Sequence, residues 1–129
     1  MTQQHMDLSF PSNCRLKKSA DFEQTYGQKQ RASDQHVLVF ANRNALDVTR
    51  CGLSVSKKHG NAVCRNRRKR LLREAFRLIR HQLPVGFDFI LIPRVNSGAG
   101  LKEYQQSLKS LAKRIVRRIE KQSQRPKEK

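Results

Sequence analysis

The chain has 129 residues, 28 of them Lys or Arg against 10 Asp or Glu, for a formal charge of +18. That length holds one domain with one core and is too short for two, and the charge points away from a partnerless domain and towards a polyanion. No segment approaches the ~20 apolar residues of a membrane span. The opening MTQQHMDLSF also lacks the charged and apolar regions of a secretory signal. The three cysteines, Cys14, Cys51 and Cys64, are odd in number and form no C-x-x-C pair, so neither a zinc site nor a disulfide framework is indicated. Buried free thiols in a reducing, cytoplasmic setting are expected.

In chain order, residues 1–13 are polar and expected to be flexible, and a single domain is expected over 14–121. The run SADFEQTYGQK predicts a short helix from Ser19, with Ser19 as N-cap, Glu23 supplying an acid to the first turn and Gly27 marking the end. Phe22 and Tyr26 stand four apart on one face of it. After a polar stretch over 29–35, HVLVFAN (36–42) is apolar on both alternating sets, which predicts a central strand covered on both faces. RCGLSVS (50–56) predicts a second strand, with Cys51, Leu53 and Val55 on one face and a bare set of Gly52, Ser54 and Ser56 on the other.

Next comes KKHGNAVCRNRRKRLLREAFRLIR (57–80), in which Glu74 is the lone acid. A loop over 57–62 opens here into a helix running from about residue 61 or 62 to 82, closed by Pro84 and Gly86. At about 100° per residue, Leu72, Ala75, Phe76, Ile79 and Leu83 gather on one side, and Asn66, Lys69, Arg70, Arg73, Arg77 and Arg80 on another. Arg68 falls on the apolar side and is expected to snorkel or to pair with a polar group. FDFILIP (87–93) predicts a third strand closed by Pro93. Residues 101–121 predict a last helix with Tyr104, Leu108, Leu111, Ile115 and Ile119 as its apolar stripe, followed by a disordered basic tail over 122–129. Helices with one apolar face each, set against a few strands, make an α+β domain with a small, mostly antiparallel sheet.

The pattern holds no catalytic centre. His5, His36, His59 and His81 are scattered, no D-x-D pair or P-loop occurs, and no metal site is expected on the protein. His59 beside Lys57 and Lys58 suits a phosphate contact or a solvated position better than acid–base chemistry. What remains is a binding surface. Arginine forks match phosphate oxygens in pairs, and a helix N-terminus adds N–H donors. Phe22 and Tyr26 offer flat faces for stacking unpaired bases, although their spacing alone favours core packing.

The segment GLSVSKKHGNAVCRNRRKRLLREAFR (52–77) carries an R-N-x-x-K-R-x-x-R-E pattern as Arg65, Asn66, Lys69, Arg70, Arg73 and Glu74. With RLKKSADF (15–22) upstream and FDFILIPR (87–94) downstream, the chain resembles the bacterial ribonuclease P protein subunit over residues 13–120. The resemblance implies a four-stranded sheet with three helices, ordered α-β-β-β-α-β-α. It also implies a left-handed βαβ crossover, against a general rule that favours the right hand in about 98% of cases.

It further implies a role in removing the 5′ leader from precursor tRNA, in a ribonucleoprotein whose RNA is the catalyst and which requires Mg²⁺. The protein would carry no active site, bind no cofactor of its own and need no obligate protein partner or membrane. It would broaden the substrate range. Carried over by position, Lys57, Lys58, Asn61, Arg65, Asn66, Arg67, Arg68, Lys69, Arg70 and Arg73 would meet the catalytic RNA. Phe22, Tyr26, Val39, Ser54 and Ser56 would line a cleft for the leader, which sets aside the core-packing reading of the two aromatics. Val39 stands where the family often has an aromatic facing the cleft, and Phe40 is then expected to point the other way.

Overall fold

The computed structural model describes residues 12–124. In order it contains α1 (Ser19–Gly27), β1 (Arg31–Ser33), β2 (Val37–Arg43), β3 (Arg50–Leu53), α2 (Ala62–Ile79), β4 (Phe87–Pro93) and α3 (Leu101–Gln124). One four-stranded sheet runs β1-β2-β4-β3. The β1–β2 and β2–β4 pairs are antiparallel, and β3 lies parallel to β4 with α2 as the connection between them. The sheet is thus mixed, and the element order is the one the resemblance implies.

Local chemistry explains the borders. Asn61 caps α2 by accepting the Cys64 N–H at 2.9 Å, and the helix tightens into a 3-10 turn over Arg80–Gln82 ahead of Pro84. At the start of α3 the Glu103 carboxylate accepts the Gly100 N–H at 2.9 Å. That bond holds its carboxyl below the usual carboxylate range. Asp34 accepts the N–H groups of His36 and Val37 at 2.8 and 3.0 Å, forming the turn that feeds β2.

Several borders differ from the sequence expectation. Lys18, not Ser19, is the N-cap of α1, and the acid in its first turn is Asp21. The polar stretch over 29–35 contains the edge strand β1. The extended pairing of β3 ends at Leu53 with a last bond from Ser54 N–H to Leu91 carbonyl. Ser12–Cys14 form a 3-10 turn, and α3 continues three residues past its expected end. The expected flexible N-terminus before residue 12 and the tail after 124 lie outside the described residues. Cys14 and Cys51 are buried free thiols as expected, but Cys64 is exposed.

The sheet's register assigns its two faces. Val37, Val39, Ala41, Cys51, Phe87, Phe89 and Leu91 pack against Leu72, Ala75, Phe76 and Ile79 of α2 and Tyr104, Leu108, Leu111 and Ile115 of α3, making the main core. Helix α3 lies over β1 and β2, and α2 stands beside α3 and reaches β3. Helix α1 covers part of the opposite face, over β2 and β4. Two surfaces follow: the outer side of α2, and the half-covered sheet face beside α1.

Candidate nucleic-acid interface

Helix α2 spends one side on the core and leaves cations on the other. Asn66, Arg67, Arg70 and Arg73 are exposed. Arg15, Asn66, Arg70, Arg73, Glu74 and Arg77 line one shallow groove, and Val63, Asn66, Arg67, Arg70 and Leu71 line a second beside it. Glu74 is paired with Arg77 at 2.6 Å, and this contact holds its carboxyl below the ordinary value. Lys57 and Lys58 stand exposed on the 3-10 turn just before the helix.

Lys69 is half-buried on the same side, and the other residues expected here are turned inward or hold local structure. Arg68 is half-buried, and its Nη1 donates to the Ala99 carbonyl at 2.7 Å and to the Tyr104 hydroxyl at 3.2 Å. It ties α2 to the start of α3, so its guanidinium is turned inward and away from the exposed ridge. Arg65 is also half-buried, and its Nε is enclosed without a hydrogen-bond partner. Asn61 serves as the cap. His59 bonds the Pro93 carbonyl through Nε2 at 2.6 Å, and the Ser56 N–H donates to its Nδ1 at 3.0 Å. Both ring nitrogens are engaged in fixing the loop, which leaves no free one for proton transfer.

On the other face of the sheet, α1 brings both of its aromatics down onto the strands. Phe22 lies so close over Gly52 that a Cβ on that glycine would sit 2.5 Å from Phe22 Cζ. Tyr26 meets Phe40 edge-to-face, with centroids 4.9 Å apart and an interplanar angle of 78°. The Arg31 guanidinium stands 6.0 Å from the Phe40 centroid.

Val39 is the correction. It is 1% exposed and faces α2 and α3, while Phe40 occupies the α1 side. The strand phase is therefore the reverse of the expectation, and the aromatic placed on the cleft is Phe40. Gly52, of the bare set Gly52, Ser54 and Ser56, is covered by Phe22. The open part of this face is formed by half-buried Leu38, Ile92 and Ser54, with Ser56 exposed at its rim.

A polar anchor holds α1 there. Asp88, buried in β4, receives Arg50 Nε at 2.7 Å and Nη2 at 2.6 Å, and Asn44 Nδ2 at 2.8 Å. The remaining Arg50 nitrogen, Nη1, reaches Asp21 of α1 at 3.5 Å. The hydrogen bonds that Arg50 donates to Asp88 raise the Arg50 pKa further. Neither Arg50 nor Asp88 was among the expected site residues, yet a lone Asp inside FDFILIP signals a partner, since a buried carboxylate needs one.

A family model described as Ribonuclease P matches residues 10–116. The chain belongs to the ribonuclease P protein family. It is 40% identical over 101 residues to the Ribonuclease P protein component of Clostridioides difficile, covering 77% of this chain and 89% of that one. It is 35% identical over 114 residues to that of Desulfovibrio desulfuricans, covering 84% and 88%. Among solved structures, the RNase P protein of Thermotoga maritima superposes with a TM-score of 0.70 at 31% identity, covering 78% of this chain and 96% of that one. A Staphylococcus aureus RNase P protein mutant with defective mRNA degradation activity gives 0.70 at 34% identity, covering 81% and 89%. Among the described residues, no helix is long and apolar enough to cross a membrane.

Proposed function

We propose that this chain is the non-catalytic, RNA-binding subunit of a ribonuclease P ribonucleoprotein, acting in maturation of the tRNA 5′ end. The observation that carries the reading is the division of labour on one fold: an exposed cationic side of α2, and an aromatic cleft on the far face of the sheet. Arg67, Lys69, Arg70 and Arg73, with Lys57 and Lys58, neutralise phosphates of the catalytic RNA, and the Asn66 amide donates a hydrogen bond to them. Phe22, Tyr26 and Phe40 give the cleft a stacking surface for unpaired leader bases, and Ser54 and Ser56 offer hydroxyls beside it. Holding the leader favours precursor over mature tRNA, and neutralising phosphates lowers the Mg²⁺ needed to hold the two RNAs together. We assign the Mg²⁺ requirement to the catalytic RNA.

The test adds the full chain to a bacterial ribonuclease P RNA at low Mg²⁺ and follows leader removal from precursor tRNA. Stimulation is expected, and its absence overturns the proposal. Phe22→Ala should weaken precursor binding by about 1–3 kcal/mol while sparing mature tRNA. Equal loss for both substrates would return Phe22 to a purely structural role.

A further inference from the structure

The α2 ridge leaves a second concentration of charge unexplained. On α3, Ser110, Lys113, Arg114, Arg117, Arg118 and Lys121 line one continuous shallow groove. All six are exposed, and Glu120 is the sole acid between residues 104 and 122. None of Lys113, Arg114, Arg117 and Lys121 pairs with an acid among the described residues. Two rows, Lys113–Arg117–Lys121 and Arg114–Arg118, repeat every four residues, so cations recur at about 6 Å along the axis. Like charges at this spacing destabilise a free helix. The helix dipole favours cations only in the last turn, where Lys121 stands, so it accounts for one member of the set.

The groove lies on the side of α3 away from α2. Arg118 Nη1 donates to the Arg31 carbonyl of β1 at 2.9 Å, and Gln30 Nε2 donates to Gln122 Oε1 at 2.8 Å. This flank is thereby pinned to the β1 edge of the sheet, and β3, the strand that α2 reaches, is the opposite edge.

We propose that this face of α3 is a second RNA-binding surface, taking the phosphate backbone of a double-stranded segment separate from the RNA held by α2. Its lining holds no aromatic side chain, so it lacks the stacking platform by which single strands are gripped. A duplex offers phosphates with its bases hidden, and is recognised through backbone and shape. The lining also exposes no large apolar side chain to insert into lipid, which interfacial helices require. The proposal stands apart from the α2 reading, and either can fail without the other.

The experiment titrates the full chain with a short blunt RNA duplex at 150 mM salt, measuring stoichiometry and the dependence of affinity on salt. Two duplexes per chain are expected. The variant carrying Lys113→Gln, Arg114→Gln, Arg117→Gln and Lys121→Gln should bind one, with a salt slope lower by about 1 for each phosphate no longer neutralised. A variant carrying Arg67→Gln, Arg70→Gln and Arg73→Gln should keep the α3 duplex. Lys replacements at Arg114 and Arg117 should retain both duplexes, and if the fourfold variant melts early, Arg117→Gln with Lys121→Gln should still lower the slope by about 2. Equal stoichiometry on the unaltered chain and the α3 variant overturns the proposal, whatever α2 itself holds. So does binding to phosphatidylserine vesicles that is lost in the α3 variant while duplex stoichiometry stays unchanged.

Discussion

At the scale of single residues, Asp88 is the one buried charged residue among those described. Its side chain is 4% exposed and is held by both nitrogens of a bidentate Arg50 and by Asn44. Removing one member of such a pair leaves the other charge half-buried, so Asp88→Ala should lower unfolding free energy by about 3–5 kcal/mol, measured by urea denaturation. A loss below about 1 kcal/mol would mean that water replaces the carboxylate. Gly52 sets a second constraint, this time steric. In Gly52→Ala the new methyl meets the Phe22 ring and Leu16 Cβ, and overpacking of this kind costs about 1–3 kcal/mol. In a Phe22→Ala background most of that cost should vanish, because the two sites touch each other; additive losses would separate them. The thiols sort by burial. Burial pushes the Cys51 thiol up, and Cys64 is exposed, so an aromatic disulfide reagent should titrate Cys64 in the folded chain well before Cys51.

At the scale of elements, what the sequence revealed depended on how strongly each segment was punctuated. Helix α2, β4 and α3 were legible because each has a clear period or apolar run, and α2 and β4 are also closed by a Pro or Gly nearby. The three residues of β1 were not: only Ala32 among them is buried, and an edge strand that buries one small side chain looks like loop. The phase of β2 was illegible for the opposite reason. An apolar residue at every position from 37 to 41 fits either face, and the choice is made by what packs above. Val37, Val39 and Ala41 fit beneath α3, and Tyr26 of α1 meets Phe40. The cationic ridge of α2 was legible in outline, but Arg68 was drawn inward by a carbonyl and a hydroxyl that arrive from Ala99 and Tyr104, far along the chain.

The turn before β2 makes a prediction at this scale. Burial pushes the Asp34 carboxyl up, but hydrogen bonds from the Ser107 side chain and from the His36 and Val37 N–H groups outweigh it and hold the folded pKa below the ordinary value. A depressed carboxyl adds stability that is fully present above its unfolded pKa of about 3.9 and lost as pH falls through the lower folded value. Asp34→Asn keeps an oxygen acceptor but cannot titrate. Acid unfolding should therefore be shallower in Asp34→Asn below pH ~4, and an unchanged acid limb would show that this turn is not a source of the loss.

At the scale of the whole molecule, the charge of +18 acts in opposite directions on folding and on binding. In the free chain the cations repel one another, on α2 and α3 and between them, and this self-repulsion destabilises the compact state. Salt screens it, with a Debye length of about 10 Å at 0.1 M. The melting temperature of the free protein should therefore rise between about 50 and 200 mM NaCl. Affinity for RNA should fall over the same range, because phosphates neutralised by Lys and Arg release counterions that salt restores. Engagement of ~6–10 phosphates predicts a drop of ~10³–10⁵. Bound RNA should itself raise the melting temperature at low salt, since a ligand that binds only the folded state stabilises it, and that gain should shrink as salt dissociates the complex. The free-protein and complex melting curves should thus converge from opposite sides as salt increases. Parallel curves would mean that the basic surfaces carry little of the binding, and a free protein whose stability falls with salt would mean that its charges are already paired internally.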